Sequence, residues 1–125
     1  MRRVLSRKGK KFIIYAIAPP HGNPLVNQFI EEDLEEAERK KIVKSISRAA
    51  DYGPPRNIEK SRPIAGESNL YEFKEDHVRV MYFYGGKGAI VLTHGFKKNT
   101  GPPLQNDIAR AKRLRDQYLQ YYGNT

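Results

Sequence analysis

From Leu70 to Asn99 the chain reads as three consecutive antiparallel strands that end in a basic loop. Successive side chains of a strand point to opposite faces. Here Tyr71, Phe73, Val78, Val80, Tyr82 and Tyr84 share one parity, which marks the core face. Two turn signals divide the stretch: the charged pair Glu75-Asp76 and the glycine-rich Gly85-Gly86-Lys87-Gly88. A turn at Glu75-Asp76 sets Lys74 opposite His77, Phe73 opposite Val78 and Glu72 opposite Arg79. A tip at Gly86-Lys87 sets Tyr82 opposite Val91, Val80 opposite Thr93 and Arg79 opposite His94. This register lines up Glu72, Arg79 and His94 across three strands, with Lys74 and His77 on the same face, which is expected to form a solvent-facing cationic hollow. A one-residue slip would reverse every side chain.

Upstream, the β-branched and aromatic run Phe12 to Ala18 predicts a strand, ended by Pro19-Pro20-His21-Gly22. His21 reads as a turn residue. A helical region follows from Pro24 to about Ala50, with Asn23 as the expected N-cap. Leu25, Phe29 and Ile30 form one apolar stripe; Leu34, Ala37, Ile42, Ile46 and Ala49 form another. The phase slips around Glu31 to Glu36, which predicts two helices in a hairpin, the second capped by Asp33. Tyr52-Gly53-Pro54-Pro55 stops the helix. After the strands, Thr100-Gly101-Pro102-Pro103 breaks the chain before a last helix to about Tyr122. Leu104, Ile108, Ala111, Leu114, Tyr118 and Tyr121 recur there at helical spacing, with Gly123 as the stop. The predicted fold is therefore α+β: residues 1–125 as one domain, a small antiparallel sheet, a helical hairpin and a C-terminal helix, in the order β-α-α-β-β-β-α.

Charge sharpens this picture. The net charge is +9, and six of the 14 acidic residues lie between Glu31 and Glu38. Outside that segment 23 basic residues face 8 acidic ones, an imbalance that favours polyanions and nucleic acid first. Residues 1–11 carry six Lys or Arg, either a flexible basic arm for nucleic acid or a frayed, solvated end. With no cysteine there is no disulfide and no thiolate-bound zinc, which fits a reducing cytosol. The N-terminus imitates a secretory signal, but its seven-residue apolar core, FIIYAIA, is short and suits a first strand better. No run approaches the roughly 18 apolar residues of a membrane span. A cytoplasmic protein with no membrane partner is expected.

His21, His77 and His94 show no metal-ligand spacing, and no glycine-rich loop opens a helix to cradle phosphate. Neither metal nor cofactor is expected. What remains is a basic constellation: Arg79, His94, Lys97 and Lys98, with Lys74 and His77 nearby and Lys60 and Arg62 before the sheet. Such a cluster can grip phosphates without reaction. It can also cleave RNA, whose 2′-hydroxyl is an internal nucleophile. That chemistry needs a base, cations on the phosphorane charge and an acid for the 5′-oxygen. His94 is the natural proton carrier and Arg79 the phosphate fork.

The segment RVMYFYGGKGAIVLTHGFKKNT, with YEFK before it and a basic helix after, resembles the RelE/HigB toxin superfamily in its phage-derived HigB-like branch. The LYE strand, the Arg-Val-x-Tyr strand, His94-Gly95-Phe96-Lys97-Lys98 and the Tyr52-Gly53-Pro54 turn carry the resemblance. It implies a toxin of a type II toxin-antitoxin system that cleaves mRNA in the ribosomal A site, neutralised by an antitoxin, often of helix-turn-helix type, that joins it on operator DNA. By position, Arg79 would contact the scissile phosphate. His94, Lys97 and Lys98 would complete the catalytic set, and Lys60, Arg62, Lys74, His77 and Asn99 would hold RNA. The run Lys-Lys-Asn-Thr and the long basic N-terminus depart from the pattern, and no tyrosine clearly matches the base-stacking one of some relatives. Tyr71, Tyr82 and Tyr84 are expected to be buried. Two other readings stay open: a ParE-like poison of DNA gyrase, and a non-catalytic RNA-binding remnant of the fold.

Overall fold

The computed structural model describes residues 1–123. The chain runs β1 (Arg2–Lys8), β2 (Ile13–Ala18), α1 (Leu25–Asp33), α2 (Glu36–Tyr52), β3 (Ser61–Pro63), β4 (Tyr71–Glu75), β5 (Val78–Gly86), β6 (Ala89–Lys97) and α3 (Gln105–Tyr122). The strands form one six-stranded sheet in the order β1-β2-β6-β5-β4-β3. Every neighbouring pair is antiparallel except β2 and β6. The fold is α+β, with a mixed sheet where an antiparallel one was expected. The expected order gains two strands, β1 and β3.

The first added strand corrects the reading of residues 1–11 as a loose arm. Arg3 holds β1 down: its guanidinium lies 4.3 Å from the ring centroids of both Tyr15 and Tyr122 and donates to the Tyr118 hydroxyl at 2.9 Å. A cation over aromatic faces is worth roughly 0.5–2 kcal/mol each, which a frayed end would forfeit. The β1–β2 turn docks on the end of α2. There the Lys11 and Phe12 N–H groups donate to Ala50 O at 3.0 and 2.8 Å. The approach is so close that a Cβ on Gly9 would lie 2.2 Å from that carbonyl oxygen.

The helical hairpin forms as the broken apolar phase predicts, but its caps differ. Pro24 precedes α1 and makes no side-chain cap, although its carbonyl accepts from Gln28 N–H at 3.0 Å. Glu35, not Asp33, caps α2 through a capping box with Glu38. Arg39 turns back to donate to Ile30 O and Leu34 O, satisfying carbonyls that the end of α1 leaves open.

The sheet is covered on both faces. Val26 and Phe29 of α1 and Ile42, Ile46 and Ala49 of α2 pack on Ile14, Ala16, Phe73, Val80, Tyr82, Ile90 and Leu92. Phe29 lies against Gly95, where a Cβ would come within 2.2 Å of its ring. On the other face, Ile108, Ala111, Leu114 and Tyr118 of α3 cover Met81, Phe83 and Val91. No helix among the described residues is long and apolar enough to cross a membrane.

Both hairpin registers shift. The first turn is Asp76-His77, with Asp76 at φ 54°, and it pairs Phe73 with Val80 and Lys74 with Arg79. Aspartate tolerates the left-handed region at little cost, which draws the turn one residue on. The pairing moves by two, so parity and the core set survive. The second turn is Lys87-Gly88, whose φ values of 52° and 76° are both positive, as a type I′ turn requires. It pairs Tyr82 with Leu92, and an irregularity then pairs Val80 with Gly95 and Arg79 with Phe96. The extra residue sits at Thr93-His94. Thr93 donates to Met81 O and His94 meets α3, so both turn to the α3 side.

Candidate functional site

Arg79 and His94 do share a face, as expected, but it is the face that α3 roofs. Arg79 is 3% exposed and His94 2%. The expectation of a solvent-facing cationic hollow built on these two side chains is corrected by that helix.

The Arg79 guanidinium is held through Nε and Nη1. Its Nε lies 3.3 Å from Oε1 of Glu72, a carboxylate with 0% exposure. The angle is poor for a hydrogen bond, and both atoms lack any other partner. The contact is therefore an ion pair in a dry site. Nη1 donates to the carbonyl oxygens of Asp76 and Val78. Arg62 supplies a second cation to Glu72, Nε to Oε2 at 3.1 Å, and donates to Gly101 O. Burial pushes the Arg79 guanidinium down from its ordinary value, and Glu72 opposes that shift.

His94 faces Asp107, the one acidic residue in the first turn of α3. Nε2 lies 3.3 Å from Oδ1, and Nδ1 lies 3.2 Å from Thr93 Oγ1. A carboxylate only accepts, so Nε2 carries a proton and donates it to Asp107. Burial first, then the charge of Arg110, lowers the imidazole pKa, while Asp107 raises it. The sequence signal for this partner is a lone carboxylate opening a basic helix.

The remaining residues divide. Lys97 points to the α1–α2 side and pairs with Glu38 at 3.1 Å, so it does not join Arg79 and His94. Lys60 pairs with Glu75 at 2.9 Å. Lys74, the strand partner of Arg79, is half-buried, as is Lys98; His77 and Asn99 are exposed. Backbone bonds gather several of these at one end of the sheet: Lys98 N–H donates to His77 O and Lys74 N–H to Lys60 O, both at 2.8 Å. Tyr82 is buried as expected, whereas Tyr71 and Tyr84 are half-buried beside it. Among the described residues no cluster of three His, Cys, Asp or Glu side chains could hold a metal ion.

The model for phage-derived protein Gp49-like (DUF891) matches residues 31–116. The chain belongs to the phage-derived Gp49-like family. That family is related to RelE/HigB-type toxins, and membership points to the toxin of a toxin-antitoxin pair with an antitoxin as partner. No curated protein matches the chain. The Gp49-like match covers all of α2 through β6 and most of α3, and so includes the Glu72–Arg79 pair and the β4–β5 turn; it leaves out β1 and β2.

Two consequences are measurable. Arg79→Ala leaves Glu72 buried with only Arg62 against it, and is expected to lower unfolding stability by about 3 kcal/mol in urea. The apolar pair Glu72→Leu with Arg79→Met loses less than the single variant; a single variant as stable as the parent contradicts the clamp. His94 titrates below its ordinary value in the folded chain, so the unfolded chain takes up a proton first as pH falls through about 6.5. Stability should therefore decline from pH 7.5 to 5.5, and His94→Gln should flatten that decline. An equal decline in the variant contradicts the assignment.

Proposed function

We propose that this Gp49-like protein is a HigB-branch toxin that cleaves mRNA on the ribosome, without metal, at the β4–β5 hairpin end of its sheet. The observation that supports this best is the grouping there of an exposed His77 with the half-buried Lys74 and Lys98, in a member of a toxin-related family.

In this reading His77, not the enclosed His94, takes the proton of the 2′-hydroxyl. The 2′-oxygen attacks phosphorus, Lys74 and Lys98 offset the charge of the phosphorane, and the Lys98 ammonium gives a proton to the departing 5′-oxygen. The products are a 2′,3′-cyclic phosphate and a 5′-hydroxyl. Arg79 serves as a positioning residue, because its bonds to the carbonyls of Asp76 and Val78 brace the turn that carries His77. Asn99 flanks the end as an RNA contact, while Arg62 is committed to Glu72 and Gly101. Lys97 and His94 have structural roles, tying β6 to α2 and to α3.

An exposed strand end positions a scissile bond poorly by itself, and alignment accounts for much of the rate in such reactions. The ribosome would supply it by holding the mRNA, which makes cleavage ribosome-dependent and the site of action cytoplasmic. A helix-turn-helix antitoxin covering the same cations would neutralise the toxin and join it on operator DNA.

Addition of the purified protein to a cell-free translation reaction should cut mRNA and leave cyclic-phosphate ends. His77→Gln should slow cutting by about a hundredfold, in line with loss of one general base, at unchanged melting temperature. Intact mRNA, or relaxed plasmid accumulating with gyrase instead, overturns the reading. Full activity in His77→Gln removes His77 from the chemistry.

A further inference from the structure

On the α1–α2 side of the sheet, opposite the face roofed by α3, a groove of about 840 Å³ runs between α2 and the loop Gly53 to Lys60. That size falls within the range of ligand sites, about 300–1,000 Å³. Its carboxylates are already matched: Asp76 pairs with Lys41 and Glu75 with Lys60, each at 2.9 Å. Among the described residues, the other cations lining it, Lys11, Lys44, Arg48 and Arg56, have no carboxylate within ion-pair distance. The groove therefore carries four uncompensated positive charges.

Aromatic surface is interleaved with this charge. Phe12 and Tyr84 meet at the groove with ring centroids 5.8 Å apart. Tyr52, the last residue of α2, is 66% exposed, with the Arg48 guanidinium 5.8 Å from its ring centroid. An exposed tyrosine backed by a guanidinium is a platform for a planar ring, and successive cations suit a phosphate backbone. A duplex hides its base faces, so the platform selects unpaired strands. An acidic peptide would satisfy the charges but would leave the ring without a stacking partner.

We propose that this groove binds single-stranded RNA, with phosphates on Lys11, Lys44, Arg48 and Arg56 and a base stacked on Tyr52. Asp76 and Glu75 place one end of the groove beside the β4–β5 turn. A strand lying in it would approach the hairpin end from the opposite face of the sheet. The site is separate from the residues given catalytic roles above, and binding does not require cleavage.

The test is fluorescence anisotropy with a labelled 2′-O-methyl RNA of about 12 nucleotides, which lacks the nucleophilic hydroxyl and cannot be cut. The single strand should bind, and its duplex should bind about tenfold more weakly. Tyr52→Ala should weaken binding by about tenfold, the usual effect of losing one stacked base. Lys44→Glu with Arg48→Glu should do at least as much. The milder pair Lys44→Gln with Arg48→Gln should lower the salt slope by about 1.4, at 0.7 for each single-strand phosphate contact. All these side chains are exposed, and melting temperatures should not move. Equal binding of strand and duplex with no effect of Tyr52→Ala overturns the proposal, as does tighter binding of a polyglutamate peptide than of RNA. Loss of mRNA cutting with this binding intact would sink the nuclease reading alone; cutting without this binding would sink the groove alone.

Discussion

The organising interaction is a carboxylate with no access to water. Glu72 lies on the α3-side face of β4, next to the edge strand β3, and two guanidiniums, Arg79 and Arg62, converge on its two oxygens. A charge in such a place is tolerable only with partners at hand. Those partners come from β3 and β5, the strands on either side of β4, so the pair of bridges ties three strands together across the sheet. The same arrangement closes the face: Gly101, on the way to α3, accepts from Arg62, and α3 then lies over Met81, Thr93 and His94.

That closure decides which basic residues are available for function. A polyanion meets the rim of the sheet and the α1–α2 side, not the interior row. The strand cations divide accordingly: Arg79 and Arg62 neutralise Glu72, Lys97 and Lys60 are matched by Glu38 and Glu75, and Lys74 and Lys98 stand at the hairpin end around His77. The acidic run at Glu31 to Glu38 takes part in this division. Glu38 both caps α2 and holds Lys97, and its pKa is lowered chiefly by the backbone N–H of Glu35 and then by Lys97.

Alternation was enough to find β4, β5 and β6 and to sort the core face of β4 and β5, because a two-residue shift in the first hairpin preserves parity; the second turn shifts by one, so Ile90 and Leu92 face α1 and α2 where Val91 and Thr93 were expected. The helical hairpin and α3 followed from apolar stripes and proline-glycine stops. What periodicity could not give was the roof. The same polar parity that suggests a solvent-facing row also fits a row buried in ion pairs, and only the docking of α3 distinguishes them. The β1 strand was hidden for a similar reason. Arg2, Arg3, Arg7 and Lys8 look like a solvated arm until Tyr15, Tyr118 and Tyr122, more than a hundred residues away in two cases, are brought under Arg3. The bulge at Thr93-His94 leaves no compositional trace, yet it returns His94 to the α3 side.

The enclosure of Arg79 is the claim on which the rest turns, and selective labelling of arginine tests it directly. A short pulse of phenylglyoxal on the native protein, followed by peptide mass spectrometry, should modify Arg48 and Arg56 and leave Arg79 untouched until urea unfolds the chain. Modification of Arg79 in the native protein as fast as Arg48 would contradict the account and return Arg79 to the solvent-facing site first expected of it.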